Sequence, residues 1–117
     1  MKKIKSKLHT LKLSVDYCFD VSIGLKNFEI RKNDRDFKVG DYIEFLPVNA
    51  FGQTIEDDYN FSNKLYKITY ILDNSTYLKK GYVALGIKEI KDEIILYSGE
   101  EVVGYIKDEN WNVDTAR

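Results

Sequence analysis

The sequence predicts a small α+β domain that is mostly β, a strongly curved sheet or barrel with one main helix beside a cleft. Six or seven short runs rich in β-branched and aromatic residues recur along the chain, set off by turn residues. Only one stretch shows helical spacing with a cap at each end. Curvature is expected because closing a sheet of short strands hides edges that would otherwise pair with other chains. At 117 residues the chain is one domain, 1–117.

Residues 7–13 alternate, with Leu8, Thr10 and Lys12 on one side and His9, Leu11 and Leu13 on the other. This is the first strand. Ser14 suits an N-cap, and Asp16 falls in a first turn, where the helix dipole favours negative charge. Val15, Cys18, Phe19 and Ile23 then mark one apolar helix face. Gly24 stands where a left-handed residue ends a helix, so positive φ is expected there. Phe28 and Ile30 alternate with Glu29 and Arg31, which puts the first pair in the core and the second toward solvent or a cleft. Strand patterns follow at 42–46, where Pro47 stops the run, and at 64–72 and 82–87. Runs at 93–97 and 102–106 predict a hairpin around Ser98, Gly99 and Glu100. The expected core holds Phe28, Ile30, Ile43, Phe45, Ile68, Leu85 and Ile87. Residues 48–63 form a polar loop, long for a domain this size, and such loops are often functional or mobile.

Net charge is −1 and the pI about 5.8. Bulk attraction to nucleic acid is thereby excluded, and any such binding needs a local patch or pocket. Cys18 is the only cysteine, so there is no intrachain disulfide and no cysteine zinc site, as suits the cytoplasm. A lone histidine and scattered carboxylates give no metal-ligand spacing, and no cofactor is expected. No apolar run approaches the roughly 20 residues that span a bilayer, and the basic start lacks the apolar segment of a secretory signal.

The stretch EIRKNDRDFKVGD, residues 29–41, carries four basic and four acidic residues in one loop. Exposed pairs contribute only about 0–1 kcal/mol each, so stability alone does not explain them. In a solvated turn the charges would simply pair with one another and with water. In a functional wall, Arg31, Lys32 and Arg35 would contact phosphate while Glu29 and Asp34 hold them in place or read a base edge.

This stretch, with His9-Thr10-Leu11-Lys12 before the helix, Gly24-Leu25-Lys26-Asn27-Phe28 leading into it, and Ile68-Thr69-Tyr70-Ile71-Leu72 and Lys80-Gly81-Tyr82-Val83-Ala84-Leu85-Gly86-Ile87 beyond, resembles a small family of unknown function within the ASCH group of PUA-like domains. The resemblance covers about residues 7–88, and residues 89–117 look like a C-terminal β extension. It implies a PUA-like barrel with a helix beside a cleft, and RNA or a nucleotide-like ligand as partner. Similar proteins include amidohydrolases acting on acylated cytidine and ribonucleases. The amidohydrolase motif matches at Gly24 and Lys26, but its threonine nucleophile is replaced by Glu29, and a carboxylate does not take over an activated hydroxyl's role.

The first functional expectation is therefore a module binding RNA or a nucleotide-like ligand through His9, Lys26, Glu29, Arg31, Lys32 and Arg35. Tyr42, Tyr70 and Tyr82 are the tyrosines able to offer a stacking face for a base. The second is a hydrolase on a modified nucleoside or RNA, with Lys26 and Glu29 as acid–base groups. The third is a phage or mobile-element factor with a protein partner, which the acidic pI and the Glu101, Asp108 and Glu109 tail favour.

Overall fold

The computed structural model describes residues 6–91, 93–98 and 101–107, the last two stretches as backbone. Gly99 and Glu100 of the expected turn, and the acids Asp108 and Glu109, lie outside the described residues. β1 (Ser6–Ser14) runs directly into α1 (Val15–Ser22), and β2 (Phe28–Lys32) and β3 (Tyr42–Val48) follow. After a 3₁₀ turn at Phe61–Asn63 come β4 (Leu65–Leu72), β5 (Tyr82–Ile90), β6 (Glu93–Ser98) and β7 (Glu101–Lys107).

Ser14 caps α1, its Oγ accepting the Asp16 N–H at 3.3 Å. The helix ends at Gly24, which has the expected positive φ of 81°, and the Lys26 N–H closes the turn on the Asp20 carbonyl at 2.9 Å. The buried stripe is Cys18 and Val21, however, and Val15, Phe19 and Ile23 are exposed. The helix is short and springs from the end of β1, so only the face centred on Cys18 meets the sheet. The Cys18 thiol lies over the Leu13 and Ser14 carbonyls.

The strands form one mixed sheet in the order β2-β5-β4-β3-β1-β7-β6. β1 and β3 are parallel, from Leu8 opposite Tyr42 to Ser14 opposite Val48, and the other pairs are antiparallel. A parallel pair needs a crossover, which α1 and β2 supply. β3 runs through Pro47 rather than stopping there. It pairs with β4 only at Tyr42 and Ile43, so further along it has a ladder on one side only, where proline is tolerated. β6 and β7 form the expected hairpin, joined to the sheet at Ser6 and Lys7 of β1.

Leu11 and Leu13, Ile43 and Phe45, Tyr66 and Ile68, and Val83, Leu85 and Ile87 fill the core with Cys18 and Val21. Phe61 is driven into it beside Phe45, ring centroids 5.8 Å apart, so the long loop is pinned at its end. Asp57 accepts the N–H groups of Phe61 and Ser62 at 2.9 and 2.7 Å. Burial pushes its carboxyl up, but those bonds outweigh that and hold it below the ordinary value.

β2 contradicts its sequence expectation. Phe28 and Ile30 are 46% and 52% exposed, and Glu29 is 4% exposed. Alternation fixes which residues share a face, not which face turns inward, and a one-residue slip would reverse all of them. The orientation forgoes roughly 2–3 kcal/mol of apolar burial from the two side chains together.

The sheet is not a closed barrel. Among the described residues β2 pairs only with β5, and β1 beyond Lys7 pairs only with β3. Two arginines cross the gap instead. Arg31 donates to the Lys12 carbonyl at 2.6 Å and Arg35 to the Thr10 carbonyl at 2.9 Å. Thr10 and Lys12 are two apart on β1, so their carbonyls share one edge. The open seam between β1 and β2 is thus bridged by side chains rather than by a backbone ladder. Among the described residues no helix is long and apolar enough to cross a membrane.

Candidate functional site

The Gly24 turn delivers Lys26 beside the first residues of β2. Lys26 Nζ donates to Glu29 Oε2 at 2.6 Å and to the Phe28 carbonyl at 2.7 Å. Arg31 Nη2 donates to Glu29 Oε1 at 3.3 Å. One buried carboxylate is therefore held by two cations on different oxygens. Lys26 also lies over the Tyr17 and Phe28 rings, 5.1 and 4.7 Å from their centroids. Tyr17, Lys26, Phe28, Glu29 and Ile30 line a hollow of about 320 Å³. Its wall combines an anchored carboxylate, an ammonium and two aromatic rings. Arg31 stands behind Glu29, reaching toward β1.

His9 and Arg35 belong to a second place. His9 Nε2 meets Asp41 Oδ2 at 2.8 Å, and both residues are buried. Asp41 also accepts the backbone N–H groups of Lys7 and Lys38, each at 3.1 Å. Burial alone would raise the Asp41 carboxyl, but the His9 hydrogen bond, the two N–H groups and the His9 charge together lower it. Phe37 packs on the His9 ring with centroids 4.7 Å apart. Lys7, Leu8, His9 and Arg35 line a separate hollow of about 300 Å³.

The expected single site is thus divided. Lys26, Glu29 and Arg31 come together as one cluster, His9 and Arg35 border another, and Lys32 extends to solvent. Within the charged loop, Asp34 meets Arg35 only at 4.0 Å and Asp36 meets Lys38 at 3.5 Å, both on the surface, which is the solvated outcome. Four of the loop's charges do have structural anchors: Glu29, Arg31, Arg35 and Asp41 each reach a defined partner. Asp41 and Tyr17 escaped the sequence reading. Asp41 follows Gly40 and reads as a turn residue, and Tyr17 sits off the expected helix face.

Cys18 is buried in the core. Burial, then the charges of Asp57 and Glu29, push its thiol up to about 11. Tyr66 is likewise raised by burial and by Glu89, and its buried hydroxyl has no hydrogen-bond partner among the described residues. No group of three or more metal-ligating side chains occurs among the described residues.

A mostly β domain with one helix and a carboxylate–cation cluster at a surface hollow is the class that the fold and this geometry define. Residues 8–87 match the family model described as Domain of unknown function (DUF3850), and the chain belongs to that family. The match runs from Leu8 in β1 through most of β5, and it includes every residue lining the hollow beside Lys26 and all but Lys7 of the other. No curated protein matches the chain.

Proposed function

We propose that this domain is a PUA-like module of ASCH type that binds RNA or a nucleotide-like ligand, acting in the cytoplasm, at the hollow beside Lys26, Glu29 and Arg31. The observation that carries this is the inverted strand β2. It buries Glu29 and leaves Phe28 and Ile30 outside. Taking a carboxylate out of water costs several kcal/mol unless its bonds are well made, and stability sacrificed locally marks sites kept for function. The chemistry suits a nucleotide. Tyr17 and Phe28 offer π faces, Lys26 suits a phosphate, and a fixed carboxylate accepts N–H donors from a base edge, as Glu does from the cytosine amine.

The test is calorimetric titration of the protein with a panel of nucleotides, modified nucleosides and short RNAs. Glu29→Gln and Lys26→Ala are each expected to weaken the best ligand at least tenfold. Failure of the whole panel to bind, or equal binding by both variants, would sink the reading. The 2.6 Å contact between Lys26 and Glu29 at an open hollow supports a second reading, in which the pair transfers protons in hydrolysis of a modified nucleoside or RNA. Steady release of acid from acylated cytidine, abolished by Lys26→Ala, would establish it.

A further inference from the structure

The outward face of β2, β5 and β4 has a pattern of its own. Cross-strand register places Phe28, Gly86 and Tyr70 in one row and Ile30, Ala84 and Leu72 in the next. A bulge between Ile68 and Tyr70 reverses the phase of β4, so that Ile71 packs against the core and Tyr70 turns out, 65% exposed. In these two rows the middle strand contributes only small residues. A Cβ on Gly86 would come within 3.1 Å of Thr69 Oγ1 and 3.3 Å of the Tyr70 Cβ, so a larger residue there would crowd the Thr69 and Tyr70 side chains. The result is a shallow trough, floored by Ala84 and Gly86, between rims about 10 Å apart, two strand spacings.

Charge completes the pattern. One end of the trough carries Lys32 opposite Tyr82, and the other carries Lys67 opposite Lys88. Lys79 lies over the Tyr82 ring at 5.7 Å. No carboxylate stands at an outward position of these three strands, although the chain as a whole has a net charge of −1. Glu29 and Glu89, which adjoin outward residues in sequence, fall on the opposite face by alternation, and Asp73 follows the last outward residue of β4. An exposed aromatic face with lysines at both ends is the arrangement that stacks bases and neutralises phosphates.

We infer that this face is a docking platform for single-stranded nucleic acid, with bases stacked on Tyr70 and Phe28 and phosphates at Lys32, Lys67 and Lys88. Phe28 and Ile30 also line the hollow beside Lys26, so the platform continues into that site. The inference deepens the proposed function by naming an extended strand as ligand, and it rests on that reading only for this continuity. Base stacking and phosphate contacts do not distinguish ribose from deoxyribose, so RNA and DNA strands are expected to bind alike, and a duplex, whose bases are stacked away, far more weakly.

Fluorescence anisotropy with labelled ten-nucleotide RNA and DNA of mixed sequence tests this. Tyr70→Ala is expected to weaken both about tenfold, since one stacked base is worth roughly that factor. Ala84→Glu, which sets a carboxylate on the trough floor, is expected to weaken them more, with unchanged circular dichroism showing that the sheet is intact. The logarithm of affinity should fall with the logarithm of salt with a slope of about −2, for three phosphates on a single strand. Glu29→Gln separates the two sites. If it abolishes mononucleotide binding and Tyr70→Ala does not, both stand; if oligonucleotides bind through Tyr70 and no nucleotide binds the hollow, the platform stands alone. Undiminished oligonucleotide binding by Tyr70→Ala, no binding by either strand, or a concentration-dependent dimer that Tyr70→Ala dissolves would overturn the inference, the last because a second copy of the chain would then cover the face.

Discussion

Replacing Arg31 by methionine tests the seam between β1 and β2. The aliphatic stem is kept, and two charge-assisted hydrogen bonds are lost, one to the Lys12 carbonyl at 2.6 Å and one to Glu29 at 3.3 Å. Bonds to charged groups contribute about 1.5–3 kcal/mol each. The Arg31 side chain is 23% exposed and the second bond is long, so the low end applies, giving about 3 kcal/mol together. For a chain of this length the unfolding entropy is about 0.25 kcal/mol per degree, which converts the loss to a fall in Tm of about 12 °C. Thermal unfolding followed by circular dichroism measures it, with urea titration confirming an unchanged m-value. Arg31→Lys should recover about half, because an ammonium reaches one acceptor but not both. A methionine variant melting within about 2 °C of the parent would refute the reasoning and show that the edges are held without the guanidinium.

Gly24→Ala should destabilise by about 1–2 kcal/mol in urea, the cost of a side chain at positive φ, and a gain in stability would contradict the turn. Stability should decline as pH falls below the ordinary carboxyl value of 3.8 and through the lowered values of Asp41 and Asp57, because the unfolded chain then takes up protons first. Asp41→Asn should be less stable at neutral pH and show a shallower decline across that acid range, as pH-dependent unfolding will reveal. Cys18 in the native protein should resist a thiol reagent at pH 8 and react only on unfolding. Rapid stoichiometric labelling would show that the helix does not cover it.

Local chemistry was readable from the sequence where one residue decides the outcome. Ser14 caps the helix, Gly24 ends it, and Ile43, Phe45, Ile68, Leu85 and Ile87 are buried as their alternation implies. What could not be read depends on partners distant in the chain. The direction in which β2 faces is settled by Lys26 and Arg31 closing on Glu29 and by the edge of β1, none of which a period of two contains. His9 looked solitary because Asp41 reaches it from the far end of the charged loop. Phe37, within that loop, is buried although its neighbours are charged. Tyr42 and Tyr70 both occur in strands, yet Tyr42 is buried and Tyr70 is exposed, and the bulge that turns Tyr70 outward has no signature such as glycine at its own position.

The place of β2 in the sheet has a consequence for the order of folding. Its backbone partner is β5, so Phe28 waits for Gly86 and Lys32 for Tyr82, while β1, α1 and β3 can associate earlier. Closing so long a loop is slow, and contacts of this span form late. The cluster of Lys26, Glu29 and Arg31 is contiguous in sequence but does not acquire its strand geometry until that closure. During synthesis the charged segment leaves the ribosome with its carboxylate and its cations still in water. A fragment ending before Tyr82 would carry every residue of the segment from Gly24 to Asp41, yet Glu29 would have no neighbouring strand to bury it.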